Sequence, residues 1–384
     1  MTRLRARGVD LALWGPISCG VAGAAAFNLA PLYLDGMRRR LGLDDAQTGW
    51  LMGAEIAGIA LAAMLALAAC RQWDPVRLAR AGLVMIVAGN LVSLLVTGFA
   101  SLLGVRFLVG LFGDGIVYAA AIMLLGTRPS RVRAFATLSL TNMAVTAAVL
   151  WGLPRMPLDE PGIGPIATFV FFALLALLAV RRLDTVAPTF AGSGVGLSGP
   201  ARHLRWIQLI ALFGLAAYAV NLGAVWPFAE RLAEGAGVAG PAIPQLLVVS
   251  VLFQAMGSVT ALVLGRNGRH GRVLLFVMLM QLASQALIWQ ADGSASLLIG
   301  LSLWGASWNL GIAFLLATIA GMPNGSRGLA FVPGVEALGV SLGPMFVAMA
   351  LSGHLQDTVP MVATTAMLFA LAVFLSIDRR RRGD

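Results

Sequence analysis

Twelve uninterrupted apolar stretches constrain the fold of this 384-residue chain more than any other feature. Each is about 20 residues long, the length that an α-helix needs to cross the hydrocarbon core of a bilayer. Their apolar residues run continuously and do not alternate with polar ones, which favours helices over the strands of an outer-membrane barrel. The stretches lie at 11–34, 47–70, 78–99, 101–126, 134–153, 162–180, 206–228, 242–265, 272–291, 295–321, 329–352 and 359–377.

Composition excludes a soluble globular protein. Hydrophobic residues make up 59% of the chain and charged residues only 11%, whereas soluble domains carry about 25% charged residues. Twelve spans use roughly 240 residues, which leaves no room between them for a sizeable catalytic domain. Cys19 and Cys70 lie in or beside apolar segments, and His203, His270 and His354 lack a second ligand at metal spacing. We therefore expect an all-α membrane protein that is not an enzyme and needs no metal or cofactor.

The first apolar stretch has a second interpretation. Arg3, Arg5 and Arg7 precede it, as in a signal peptide, and I-S-C-G at 17–20 resembles a lipoprotein cleavage site. The apolar run is longer than the 7–15 residues of a signal-peptide core. We therefore interpret it as a helix of the mature protein.

The distribution of arginine predicts the orientation. All 27 basic residues are Arg, which indicates a GC-rich, bacterial gene. With the N-terminus inside, 21 of them fall in inner segments and five in outer ones, and Arg106 lies within a span. Because basic loops stay in the cytoplasm, both termini are predicted to be cytoplasmic, with the spans in the inner membrane. Topology thus explains the net charge of +10, and no nucleic acid partner is expected. R-R-R-R at 379–382 fits a topology anchor, with binding of anionic lipid as the alternative.

A long inner segment divides the spans into two groups of six. It contains G-S-G-V-G-L-S-G-P at 192–200, a composition typical of a flexible linker. We predict two six-helix bundles, at 1–181 and 206–384, joined by a cytoplasmic linker at 182–205. Parallel repeats of this kind place a substrate site between them near the membrane midplane. Three short matches recur in order across the linker at offsets of 193 to 195: A-F-N-L at 26–29 with A-V-N-L at 219–222, Gly110, Asp114 and Gly126 with Gly305, Asn309 and Gly321, and R-A-F-A at 133–136 with R-G-L-A at 327–330.

Two motifs resemble those of the major facilitator superfamily, and the resemblance covers essentially the whole chain. R-F-L-V-G-L-F-G-D-G at 106–115 is similar to that family's fourth-helix motif, and G-S-V-T-A-L-V-L-G-R-N-G-R-H-G-R at 257–272 to its cytoplasmic motif between helices 8 and 9. In the matching loop between helices 2 and 3, Cys70 stands where the family usually has a gate acid, and Asp74 is a candidate replacement. The helix-5 signature of drug antiporters is missing from V-L-W-G-L-P at 149–154. The resemblance implies two pseudo-symmetric six-helix bundles and secondary transport by alternating access.

Four ionisable residues lie within spans, namely Glu55, Arg106, Asp114 and Glu336. Charge inside a membrane is costly, so each is a candidate for function. Burial favours the protonated form of a carboxyl group, so Asp114, Glu336 and Glu55 are predicted proton carriers. The resemblance links Arg106 to coupling or to an anionic substrate. The alternative to these functional roles is a structural one. The acids would hold helices together, and Arg106 would be the buried ion-pair partner of a carboxylate on a neighbouring helix. Arg106 and Asp114 lie eight residues apart on one helix, so each needs a partner elsewhere.

A second set of candidates is polar or aromatic. The resemblance implies that helices 1, 4, 7 and 10 line the transport cavity. Trp304 and Trp308 lie one turn apart, and two indoles on one face can stack on a ring of the substrate. Packing or an interfacial aromatic belt is the alternative for both, and the belt is our interpretation of Tyr33 and Trp226. The predicted substrate-binding residues are Asn28, Arg106, Asn221, Asn309, Trp308 and Trp304, with Asn142 and Gln254 of lower rank.

These features together predict a secondary active transporter. It would move a small organic solute, with an anion or aromatic acid favoured by Arg106 and the tryptophans, and would be coupled to protons. We expect a monomer whose partners are the solute, protons and the lipid bilayer. Two alternatives stay open: proton-driven efflux of a drug or metabolite, and a solute sensor or assembly factor that does not transport.

Overall fold

The computed structural model describes residues 13–69, 73–128, 131–157, 160–181, 206–264, 270–322, 325–351 and 353–383, and these contain no β-strand. The segments 1–12 and 182–205, which include the predicted linker, and Cys70 lie outside the described residues. The described residues form fifteen α-helices: α1 (Trp14–Asn28), α2 (Ala30–Leu41), α3 (Asp45–Ala69), α4 (Pro75–Leu95), α5 (Phe99–Val109), α6 (Gly115–Gly126), α7 (Arg131–Gly152), α8 (Ile163–Val180), α9 (Trp206–Val225), α10 (Ala229–Gly235), α11 (Ile243–Leu264), α12 (His270–Trp289), α13 (Ser294–Ala320), α14 (Gly325–Ala350) and α15 (Leu355–Gly383).

The described helices provide eleven membrane spans, and the bent pair α1–α2 provides a twelfth. This confirms the predicted all-α, multi-pass membrane protein. We refer to the spans up to Val180 as the N-half and to those from Trp206 onward as the C-half. The end of the bundle where α1 begins and α15 ends is the terminal end. The opposite end, which carries the turn at 42–44 and helix α10, is the distal end.

Two spans deviate from a straight α-helix. The axis of the first turns by 55° between α1 and α2, where Pro31 stands in the first turn of α2 and lacks an N–H for the preceding turn. The fourth span contains a π-helical turn at Gly110–Asp114, between α5 and α6. Such turns insert an extra residue into the helical register and occur often at functional sites.

Glycines let the backbones of neighbouring spans approach closely. A Cβ atom at Gly110 would overlap the carbonyl oxygen of Glu55, and one at Gly223 would overlap that of Val340. Between the halves, a Cβ at Gly49 of α3 would lie only 2.6 Å from the carbonyl oxygen of Pro344 in α14. Substitution at these positions would therefore force helices apart, both within each half and between the halves.

Polar contacts join the two halves at the distal end. The Arg231 guanidinium donates to both carboxylate oxygens of Asp45, at 2.9 and 3.1 Å. Arg38 and Arg39 lie 3.7 and 3.4 Å from carboxylate oxygens of Glu234. These contacts connect α2 and the start of α3 with α10, so they close the bundle at this end.

Candidate functional site

A cavity of about 380 Å³ lies between the two halves. Its volume is within the range of small-molecule binding sites. Its walls come from α1, α6 and α7 of the N-half and from α9, α11, α13 and the 226–228 turn of the C-half. The described residues that line it carry polar or apolar side chains, and none is charged. They are Phe27, Asn28, Tyr118, Ile122, Phe135, Leu138, Ser139, Asn142, Met143, Thr146, Leu222, Trp226, Val251, Gln254, Trp308 and Asn309.

Five of the predicted substrate-binding residues come together at this cavity: Asn28, Asn142, Gln254, Trp308 and Asn309. They stand on four different helices from both halves, so the fold gathers amides that are far apart in sequence. The buried Oδ1 atom of Asn142 has no hydrogen-bond partner within the protein. An amide oxygen in that position is free to accept a hydrogen bond from a bound solute. The assignment of these five residues as substrate ligands stays a prediction.

Trp308 is held in place by Tyr218. The two rings stack with their centroids 4.6 Å apart and an interplanar angle of 17°. The Tyr218 hydroxyl donates to the carbonyl oxygens of Ser307 and Trp308, at 3.3 and 3.2 Å. The buried ring of Tyr218 therefore fixes one face of Trp308, which lines the cavity. Sequence reasoning missed Tyr218, although a tyrosine three residues before Asn221 on the same apolar span is a usable signal.

Three predicted substrate-binding residues lie outside the cavity lining. The Asn221 Oδ1 atom accepts a 2.6 Å hydrogen bond from the Trp304 indole, and its amide nitrogen donates to Gln281 at 3.5 Å. Gln281 in turn donates to the Trp304 carbonyl oxygen at 3.0 Å. This neutral network holds α9, α12 and α13 together inside the C-half. The third residue, Arg106, is taken up in a different network.

Arg106 is the centre of a buried ionic cluster inside the N-half. Its Nε atom donates to Glu55 Oε2 at 3.0 Å, and its Nη2 atom binds Glu55 Oε1. Its Nη1 atom donates to Asn90 Oδ1 at 2.9 Å, and its Cζ atom lies 5.0 Å from the ring centroid of Tyr33. These four side chains are at most 1% exposed. The sequence required Arg106 to have a partner on another helix, and that partner is Glu55. The two side chains form a buried ion pair, as in the alternative interpretation of these residues.

Asn90 and Tyr33 were missed as members of this cluster. Asn90 is a polar side chain in the otherwise apolar part of the third span, which was a usable signal. Nothing in the sequence places Tyr33 over the guanidinium, because that contact depends on the bend between α1 and α2.

Asp114 supplies a second carboxyl group to the ionic cluster. It is the last residue of the π-helical turn, is 2% exposed and interacts electrostatically with Glu55 and Arg106. Its Oδ2 atom has no hydrogen-bond partner. The cluster thus contains one guanidinium and two carboxyl groups. The role of Asp114 as a proton carrier stays a prediction.

Glu336 lies apart from the ionic cluster, on α14 of the C-half, and is half-buried. It interacts electrostatically with Tyr118, which lines the cavity, and with Tyr218 behind Trp308. The predicted proton carriers therefore divide between two places: Glu55 and Asp114 inside the N-half, and Glu336 near the cavity.

Comparisons with known proteins give matches in structure only. No protein-family model matches the sequence, and no curated protein matches it. A nucleoside transporter, NupG, superposes with a TM-score of 0.71 at 13% identity, covering 96% of this chain and 98% of that one, and a variant of it gives 0.72 at 12% identity with the same coverage. A D-xylose-proton symporter gives 0.65 at 13% identity, covering 94% and 95%. Over nearly its whole length, the chain thus has the fold of the major facilitator superfamily of transporters.

Proposed function

We propose that the protein is a secondary active transporter that moves a small organic solute through the central cavity by alternating access, driven by protons. The observation that carries this proposal is the position of the cavity, which is bounded by both halves while a buried ionic cluster lies inside one of them. The solved structures of similar fold include a nucleoside transporter and a proton-linked sugar symporter, which supports a transport function.

Alternating access requires that the distal contacts between the halves break and reform. The ion pairs of Arg231 with Asp45 and of Arg39 with Glu234 are partly solvent-exposed. Such pairs contribute only about 0–1 kcal/mol each, so they close the distal end without locking it. The close glycine contact of α3 with α14 provides the surface along which the halves can rock.

Asp114 is the proposed site of proton uptake. Glu55 is engaged by two nitrogen atoms of Arg106, whereas the Asp114 carboxyl group keeps an oxygen without a partner. That free oxygen is the position at which Asp114 would accept a proton. Glu336 is a second candidate, because it interacts electrostatically with Tyr118, which lines the cavity. A solute bound in the cavity would change the surroundings of this carboxyl group.

We also propose the orientation that the arginines predict. Both termini would lie in the cytoplasm, the spans would cross the inner membrane of a bacterium, and the distal end would face outward. The chain is proposed to work as a monomer. The structure gives no support to an anionic substrate recognised by Arg106, because that side chain is bound by Glu55 and Asn90 away from the cavity.

A transport assay with an undefined solute mixture tests this function. The purified protein would be reconstituted into liposomes, given an inward pH gradient and a mixture of bacterial small metabolites, and the trapped solutes would be identified by mass spectrometry. The proposal expects at least one solute to accumulate above its external concentration, and the accumulation to collapse when a protonophore is added. A solute that binds but never crosses the bilayer would indicate a sensor and contradict the proposal.

A further inference from the structure

The chemistry of the cavity lining points to the class of solute that it binds. Its described side chains include no charged group. A charged solute in this cavity would lose its hydration without gaining a counter-ion, which is strongly unfavourable. The Arg106 guanidinium is already paired inside the N-half. The lining itself therefore offers no counter-ion to a charged solute.

Four of the polar groups in the lining are amides, and they stand on both sides of the cavity. Asn28 and Asn142 belong to the N-half, and Gln254 and Asn309 to the C-half. Each amide offers both a donor and an acceptor, so together they match a solute with both kinds of group. The Asn142 Oδ1 atom is buried and has no partner. A bound solute with an N–H or O–H group facing this atom would donate a hydrogen bond to it and satisfy the acceptor.

The aromatic groups of the lining add a flat surface. Trp308 borders the cavity and is 6% exposed, with Tyr218 stacked against it. Because its ring is fixed, stacking on it costs little side-chain entropy. Phe27, Phe135 and Trp226 provide further rings around the same space. Flat rings and amides together are the groups that recognise a nitrogen heterocycle.

We infer that the cavity binds an uncharged solute that carries a flat, nitrogen-containing ring and at least one N–H or O–H donor, of about the size of a nucleoside. This inference rests on the proposed function, because it names the substrate class of the same site. It excludes two other classes: aromatic acids, which carry a negative charge, and simple sugars, which lack a flat ring.

Binding measurements on the purified full-length protein test the inference. Uridine and adenosine serve as neutral heterocyclic probes, benzoate as an aromatic anion and D-xylose as a neutral sugar, each measured by isothermal titration calorimetry. We expect uridine or adenosine to bind at least about 10-fold more tightly than benzoate or D-xylose, since stacking and hydrogen bonds to amides each contribute about that much. Failure of both nucleosides to bind, or tighter binding of benzoate or D-xylose, would overturn the inference.

Substitutions at two positions locate the binding in this cavity. Trp308→Ala removes the stacking surface and should weaken nucleoside binding by roughly 5- to 100-fold, while Trp308→Phe, which keeps a ring, should weaken it less. Asn142→Ala should weaken it by roughly 3- to 10-fold. Trp289→Phe is the control, because Trp289 lies half-exposed outside the cavity lining. Unchanged affinity in both Trp308→Ala and Asn142→Ala would overturn the inference.

The outcome also separates this inference from the proposed function. If proteoliposomes accumulate benzoate or D-xylose under a pH gradient, the transport function stands and the substrate class is wrong. If uridine binds with the expected dependence on Trp308 but no solute accumulates, the substrate class stands and the transport function is wrong.

Discussion

The indole N–H of Trp226 lies 3.1 Å from the carbonyl oxygen of Phe27 and 3.3 Å from that of Asn28, so a C-half side chain caps the broken end of helix α1 in the N-half. Pro31, four residues after Phe27, lacks the N–H that a continuous helix would offer to the Phe27 carbonyl oxygen. Trp226, Phe27 and Asn28 also line the cavity. This contact between the halves and the wall of the cavity therefore share the same residues.

Replacement of Trp226 by Phe should loosen the distal closure. Phe keeps the ring but removes the donor, which costs about 1 kcal/mol in the closed state and shifts the closed-to-open ratio roughly 5-fold. Spin labels at Asp44→Cys and Ala239→Cys, both exposed at the distal end, report the distance between the halves by pulsed electron paramagnetic resonance. The background would lack both native cysteines. A distance distribution identical to that of the unsubstituted protein would contradict this role of Trp226.

Substitution of Arg231 by Gln should weaken the same closure in a salt-dependent way. The guanidinium binds Asp45 and Glu234, and these side chains are 20–31% exposed, so the expected loss is about 1 kcal/mol or less at low salt and smaller at high salt. Arg155→Gln is the matched control, because the contacts of Arg155 with described residues are to the carbonyl oxygen and ring of Trp151 in its own half. The distance between spin labels at positions 44 and 239, measured at low and high salt, checks this prediction. An equal effect of both substitutions would argue against a distal ion-pair closure.

The Glu55–Arg106 pair should be strongly coupled in stability. Arg106→Gln leaves the carboxyl groups of Glu55 and Asp114 without a buried cation and should destabilise the protein by about 3–5 kcal/mol. Glu55→Gln leaves Arg106 with Asp114 as its remaining carboxyl group and should cost less. The double substitution should cost less than the sum of the two single changes, as a double-mutant cycle would show. Thermal unfolding of the purified variants in detergent measures these differences. Additive losses in the double variant would mean that the two side chains do not depend on each other.

Gly110→Ala should disturb the contact between α3 and the fourth span. The new methyl group would overlap the Glu55 carbonyl oxygen, and overpacking of this kind costs roughly 1–3 kcal/mol. Gly104→Ala, one and a half turns earlier on the same span, faces open space and should be neutral or slightly stabilising. Equal unfolding temperatures for the two variants would contradict the close backbone contact.

The positions of the spans could be predicted from sequence because hydropathy is a local property. The bend at α1–α2 and the π-helical turn at Gly110–Asp114 could not be predicted, since hydropathy runs through both without interruption. The repeat drew attention to Asn28 and Asn221, and of these two Asn28 lies at the cavity. Which face of a helix meets the cavity depends on packing, and Asn221 faces Trp304 and Gln281 within its own half.

The ionic cluster shows the same limit of prediction from sequence, because the sequence does not tell which of its side chains pair with each other. The sequence identified Glu55, Arg106 and Asp114 as costly groups within the membrane, because charge in an apolar run is visible in the sequence. Their pairing depends on the contact of α3 with α5 at Gly110, a tertiary feature. The preference for an anion or aromatic acid rested on Arg106 and the tryptophans, and the bidentate contact of Arg106 with Glu55 weakens the part that rested on Arg106.

The central claim, proton-driven transport through Asp114, is tested most directly by solute accumulation in proteoliposomes under an imposed pH gradient, comparing the unsubstituted protein with Asp114→Asn. Asp292→Asn, at an exposed site, is the control. Asn cannot gain or lose a proton, so Asp114→Asn should abolish uphill accumulation while solute exchange at equal pH continues, and the control should behave like the unsubstituted protein. Full gradient-driven accumulation by Asp114→Asn would contradict the claim.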